Sequence, residues 1–266
     1  MDSAATHYSW ASGDAYERYV GRWSRPVAAE FLRWLGVPDG MEWVDVGCGT
    51  GALAAAILQA AAPVRVRGYD LSPDHVAAAR ARVNDPRAEF TRADATELPD
   101  PAHAFDAAVS ALVLNFVPVP AHAVAEMRRV VRPGGTVAAY VWDYAGQMQL
   151  IRIFWDAAVE LDSAAAALDE GRRFPLCAPQ PLRELFESAG LRDVAIRAID
   201  VPTRFADFDD YWQPFLGGQG PAPGYAASLD EERQAALREL IRRRLPFAPD
   251  GSTTLTARAW AVRGTA

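Results

Sequence analysis

Lysine is missing altogether. All 27 basic residues are arginine, and against 34 aspartates and glutamates they leave a formal charge of -7. That acid surplus argues against a protein whose main business is covering phosphate backbones. The arginine-for-lysine bias, in a chain rich in Ala, Gly and Pro, reads as codon usage of a GC-rich genome. Cysteine is nearly absent, with Cys48 and Cys177 far apart. This excludes a disulfide framework and a four-ligand zinc site, fits a reducing cytoplasm, and no metal is expected. Long apolar runs are also lacking: Gln59, Pro63, Asn115 and Pro118 break the longest, and "MDSAATHYSW" has no basic start or apolar segment. Nothing targets the chain to a membrane. Half the 266 residues are nevertheless apolar, enough to bury a core and exclude disorder.

Along the chain, apolar residues fall at helical spacing over 14–35, where Gly21 and Pro26 predict a division into two helices. Short strands are predicted at 42–47, 64–70, 88–94, 105–114 and 135–142, with helices at 52–62, from Ser72 onward, and at 122–131. Alternation at these intervals predicts a parallel, doubly wound α/β sheet. After Trp142 come a helix-like "MQLIRIFWDAAVEL", an alanine-rich stretch, a returning helix "PLRELFESAG" and a sixth strand at 193–201. A last strand is predicted at 253–264. Between these last two, "FADFDDYWQPFLGGQGPAPGY" places Tyr211, Trp212 and Phe215 either beneath the sheet or in an acceptor cavity, and "GGQGPAPG" reads as a mobile gate.

The densest chemistry lies in "WVDVGCGTG", residues 43–51. A strand that stops at close glycines and turns into a helix brings bare amides and a positive helix end to a ligand. Gly47, Gly49 and Ala52 fit G-x-G-x-x-A, so a nicotinamide or flavin dinucleotide remains open on the glycines alone. Asp45 sits inside the strand, where it orients the loop, meets an ammonium group through water, or caps local amides. Asp70 ends the next strand, where its carboxylate can accept from both ribose hydroxyls. Asp94 ends the third, placed to accept from an exocyclic adenine amine while the Ala95 amide donates to the ring. A carboxylate at three successive strand ends is less usual for NAD sites. Cys48 reads as a small filler within the same loop.

With "VDVGCGTG", "GYDLSP", "RADATELP", "FDAAVSALVLNFVP" and "VRPGGTV" in this order, residues 40–142 resemble the class I S-adenosylmethionine-dependent methyltransferases, particularly the type 11 small-molecule group. The resemblance implies a Rossmann-like, seven-stranded sheet with the last strand antiparallel, and helical cap insertions. It implies S-adenosylmethionine as cofactor and a small-molecule acceptor as partner, without nucleic acid or membrane. Gly47, Gly49 and Gly51, with Cys48 among them, would line the methionine part. Asp70 would hold the ribose, Asp94 and Ala95 the adenine, with Leu71 against the ring, and Ser110 would offer backbone near the sulfonium. An N-terminal helix closes over the cofactor in related enzymes, which makes Tyr16, Tyr19 and Arg22 lid candidates, Arg22 for the methionine carboxylate.

The domain expectation is a lid at 1–36, a cofactor-binding core at 37–142, a cap insertion at 143–180, and the remaining core at 181–266 with a second cap at about 203–252. Displacement at a sulfonium has a good leaving group, so alignment supplies most of the acceleration and no triad is needed. Acceptor-side candidates are Asn115, Trp142 and Asp143. Asn115 stands where some relatives carry a histidine, and a neutral amide there puts direct base catalysis in doubt. His75, His103 and His122 read as surface or capping residues. Two rivals remain: an NAD-dependent oxidoreductase and a non-catalytic adenosine-ligand sensor.

Overall fold

The computed structural model describes residues 21–217 and 220–266. The lid expectations on Tyr16 and Tyr19 lie outside the described residues. The chain forms two compact units. One, built on the sheet, takes Trp23–Asp143, Phe174–Val201 and Arg258–Ala266; the other, mainly helical, takes Arg22, Tyr144–Arg173 and Pro202–Ala257.

The sheet contains β1 (Glu42–Val46), β2 (Arg65–Asp70), β3 (Ala88–Arg92), β4 (Phe105–Ala111), β5 (Val131–Trp142), β6 (Arg192–Phe205) and β7 (Thr253–Thr265). Their order is β3-β2-β1-β4-β5-β7-β6. β1 pairs in parallel with β2 and β4, β2 with β3, and β4 with β5, whereas β7 runs antiparallel to β5. The central strands are largely apolar because both faces are covered: Trp43, Val44 and Val46 on β1 and Ala107, Ala108 and Val109 on β4 are buried, with Asp45 and Ser110 as buried polar exceptions. The order reverses direction at β1, so the carboxyl ends of β1 and β4 diverge into connections on opposite sides and open a crevice.

The helices around this sheet are α1 (Arg22–Leu35), α2 (Ala52–Ala60), α3 (Pro73–Arg82), α4 (Pro120–Val130) and, later in the chain, α7 (Pro179–Ser188). α1 runs unbroken through Pro26. The proline is its fifth residue, so its missing N–H removes at most the first intrahelical bond. From Trp23 onward α1 belongs to the sheet unit, where Phe31 meets Tyr140 edge-on at 4.8 Å and the Trp34 carbonyl accepts from Arg263 at 2.8 Å.

Several strand boundaries differ from expectation; β3 ends at Arg92 and β6 runs on to Phe205. β4 ends at Ala111 because Leu112 takes a φ of 62°, which turns the chain out of the sheet. β5 starts earlier, at Val131: Val131 pairs with Phe105, and a register shift follows before Ala107 pairs with Thr136. Gly135 permits this irregularity, since a Cβ there would lie 2.5 Å from the Asp106 carbonyl.

The helical unit contains α5 (Gln149–Leu161), α6 (Glu170–Arg173), α8 (Phe208–Trp212), α9 (Pro221–Ser228) and α10 (Glu231–Arg244). Its core is aromatic. Phe154 stacks on Phe215 at 4.5 Å and on Trp212 at 6.4 Å, and the Tyr211 hydroxyl donates to the Leu150 carbonyl at 2.8 Å. Tyr211, Trp212 and Phe215 are thus the buried core of their own unit, because an isolated helical layer needs its largest apolar groups to cover itself. The segment expected as a gate becomes α9 from Pro221 onward, with Pro221 and Pro223 in the first turn, where proline is tolerated. No helix among the described residues is long and apolar enough to cross a membrane.

Candidate cofactor site

At the carboxyl end of β1, Gly47, Gly49 and Gly51 all have positive φ, at 75°, 51° and 84°. An L side chain would be strained at each, which explains three glycines in five positions. Their surroundings differ. A Cβ on Gly47 would lie 2.5 Å from Val113 Cγ1 and one on Gly51 2.9 Å from Val83 Cγ2, but one on Gly49 would meet nothing within 4 Å. Gly47 and Gly51 therefore serve packing, and Gly49 faces open space. α2 begins behind this loop with Gly51 as its cap and no side chain bonding its first amides. A helix start without a side-chain cap suits an anionic ligand group.

The end of β2 ties the loop down. The amides of Gly47 and Cys48 both donate to the Tyr69 carbonyl, at 2.7 and 2.8 Å, and the Gly49 amide donates to Asp70 Oδ2 at 2.9 Å. The Ser72 amide donates to Asp70 Oδ1 at 2.9 Å, and His75 Nδ1 lies 3.2 Å from the same oxygen. Burial alone would raise the Asp70 pKa, but the His75 bond, then the Ser72 and Gly49 amides, outweigh it and lower the pKa. Asp70 is thus an anion held by the loop it organises.

Asp45 behaves in the opposite way. It is fully buried, and burial pushes its carboxyl up to about 7; the Ala54 amide pulls down and the Asp70 charge pushes further up. Although that amide is near enough to act on it, neither Asp45 oxygen makes a hydrogen bond of normal geometry among the described residues. The Ala54 amide, in the first turn of α2, is thus the local group that acts on Asp45. Cys48 is buried and its thiol pKa is raised, first by burial and then by the charges of Asp45 and Asp70, so it is an inert filler.

Asp94 is exposed, and its Oδ1 accepts from the Thr96 amide at 2.8 Å and the Thr96 hydroxyl at 2.7 Å, forming the turn after β3. The Ala95 residue beside it is half-buried. Leu71 is 60% exposed, an apolar side chain held at the surface next to Asp70. The open space over Gly49 and the exposed Leu71 thus flank the ionised Asp70 at the carboxyl ends of β1 and β2.

Asn115 and Trp142, on the acceptor side, and Ser110 share a different trait. Asn115 lies in a 3-10 turn (Leu114–Phe116) after β4, and both its amide atoms are buried without a hydrogen-bond partner among the described residues. The Ser110 hydroxyl and the Trp142 indole N–H are in the same condition. Asp143 is buried beyond β5, where its amide donates to the Arg258 carbonyl at 2.9 Å. Polar groups left unpaired in a protein interior are costly and mark places where a ligand or water completes the bonding.

Arg22 Nη1 lies 3.1 Å from Asp210 Oδ1, and its guanidinium sits over the Phe205 ring at 4.8 Å. His75 is the residue that sequence reasoning missed. A signal was present, because a capped helix starting at Ser72 puts residue 75 in its first turn, five residues beyond the carboxylate. His103 and His122 do not join this cluster; His103 Nδ1 lies 3.0 Å from the Val131 carbonyl.

Comparison with known proteins agrees with this geometry. A family model described as a methyltransferase domain matches residues 44–139. The 2-methyl-6-phytyl-1,4-hydroquinone methyltransferase of Synechocystis is 29% identical over 244 residues, covering 82% of this chain and 75% of that protein. The demethylmenaquinone methyltransferase of Bacillus cytotoxicus is 35% identical over 112 residues, covering 41% of this chain and 47% of that protein. Among solved structures, the phosphoethanolamine N-methyltransferase 2 of Haemonchus contortus, in complex with S-adenosyl-L-methionine, shares the fold with a TM-score of 0.59 and 17% identity, covering 95% of this chain and 56% of that one. By sheet order, glycine loop and the matching family model, residues 44–139 form a methyltransferase domain, and its cofactor is S-adenosylmethionine.

Proposed function

We propose that this enzyme transfers the methyl group to a small organic acceptor, with residues 45–51 around the methionine part of the donor and Asp70 at its ribose. In this reading Asp45 faces the ammonium group, Asp94 and Ala95 the adenine, and Leu71 the ring. Ser110 lends backbone near the sulfonium. The observation that carries it is the pairing of the Gly49 amide with Asp70 Oδ2, which joins the glycine loop to an ionised carboxylate at the end of β2. When bound, the cofactor supplies an electrophilic methyl group and a neutral leaving group. The protein's part is alignment and exclusion of water.

On the acceptor side, Asn115 donates and accepts without removing a proton, and the Trp142 indole and Asp143 lie near the end of β5. The hydroquinone named for the Synechocystis relative makes electron-rich aromatic acceptors the first to try. The acid surplus supports a small molecule over a nucleic acid, and the two free cysteines support a cytoplasmic setting.

Thermal shift separates the classes: S-adenosylhomocysteine should stabilise the protein and NADH should not. Asp70→Ala should weaken S-adenosylhomocysteine by about 1.5–3 kcal/mol, the scale of a hydrogen bond to a charged group. Unchanged affinity in that variant rejects the ribose assignment. Methyl transfer from labelled donor to a panel of phenols, hydroquinones and amines tests catalysis, and a sensor would bind donor yet label none.

A further inference from the structure

Asp70 already carries more hydrogen bonds than a ribose-binding carboxylate needs. Its Oδ1 accepts from the Ser72 amide at 2.9 Å and faces His75 Nδ1 at 3.2 Å, while Oδ2 accepts from the Gly49 amide at 2.9 Å. A carboxylate offers about four acceptor directions, two on each oxygen. Both on Oδ1 are therefore taken, and one on Oδ2 remains. Nδ1 must carry the proton in this pair, since a bare nitrogen lone pair would repel the carboxylate.

The three donors differ in what holds them. Ser72 and Gly49 give backbone amides, one at the cap of α3 and one inside the glycine loop, so neither retreats without unwinding its element. His75 gives a side chain, set by the first turn of α3, where its own amide donates to Ser72 Oγ at 3.4 Å. The side chains of His75 and Asp70 are 22% and 12% exposed, sheltered enough for the pair to compete with water.

We propose that His75 is a specificity-determining positioning residue: by filling the second acceptor direction of Asp70 Oδ1, it leaves Asp70 to receive one ribose hydroxyl, through Oδ2, instead of both. The inference rests on the assignment of Asp70 to the cofactor ribose. It sharpens that assignment, because a diol grip through both oxygens requires Oδ1 to be free.

The test is calorimetric binding of S-adenosylhomocysteine and its 2′-deoxy and 3′-deoxy analogues. Wild-type protein should tolerate loss of one hydroxyl within about threefold and lose at least about tenfold on loss of the other, the range of a single charged hydrogen bond. In His75→Ala, Oδ1 is released, and both analogues should bind at least about fivefold more weakly than the parent. His75→Asn, whose amide nitrogen takes the place of Nδ1, should restore the asymmetric pattern. Equal losses for both analogues in the wild type, or asymmetry that persists in His75→Ala, overturn the proposal. Absence of any S-adenosylhomocysteine binding by the wild type instead rejects the ribose site itself, so the two failures are distinguishable. The wild-type comparison stands even where a variant folds poorly.

Discussion

Two glycines in one loop do different work at the residue scale, and substitution separates them. Gly47→Ala places a methyl group against Val113 at a position with φ of 75°, so it should cost about 1–2 kcal/mol of backbone strain and further overpacking, lowering the urea midpoint and cofactor affinity together. Gly49→Ala, in open space at φ of 51°, should show the smaller stability loss, yet a comparable loss of S-adenosylhomocysteine affinity, because its methyl group points where the ligand needs bare backbone. Equal stability losses in the two variants would contradict this division. The glycines and Asp70 were legible in the sequence because backbone conformation and strand-end placement leave a local signature. The bond of His75 to Asp70 was not, since it depends on how the first turn of α3 folds back over the end of β2. The buried, unpaired state of Asn115 was equally hidden, because burial is a property of everything packed around a residue.

Among elements, α10 shows how far local chemistry alone can specify a helix. Asp230 accepts from the Arg233 amide at 2.8 Å, Glu231 and Glu232 follow in the first turn, and Arg242, Arg243 and Arg244 close the last. Charges at both ends oppose the helix dipole, and the cap satisfies one of the free amides. Asp230→Ala should therefore destabilise the helical unit by about 1 kcal/mol in urea unfolding, with Asp230→Asn nearly neutral. The three arginines are largely engaged locally, with Arg243 near Glu239, Arg244 on Glu160 and Arg242 over Phe208. Where element boundaries were misjudged, at Pro26, Leu112, Val131 and Pro221, the deciding factor was which backbone groups found partners. Residue type alone does not report that.

On the scale of the whole molecule, Glu170 carries a pH dependence. It is a buried acid of the helical unit, its carboxylate accepts from the Trp155 indole, and burial pushes its pKa from 4.5 up to about 7. Folding therefore favours its protonated form. Its contribution is fully present below pH 4.5, is lost as pH rises toward 7, and is constant above, a change on the order of 3 kcal/mol. Glu170→Gln keeps the bond to Trp155 and removes the ionisation, so its advantage over the wild type in thermal melts should grow from pH 5 to pH 8. A difference that is flat across that range would show that Glu170 is ionised in the fold at little cost. Sequence alone determined the order of strands and helices, the glycine loop and the carboxylates at three strand ends. Those features arise from periodicity and backbone preference, which are local. Only tertiary structure decided that Tyr211, Trp212 and Phe215 are core, that Arg22 engages Asp210, and that His75 reaches Asp70. Each depends on long-range packing, in which the same residue types serve equally well as core or as site.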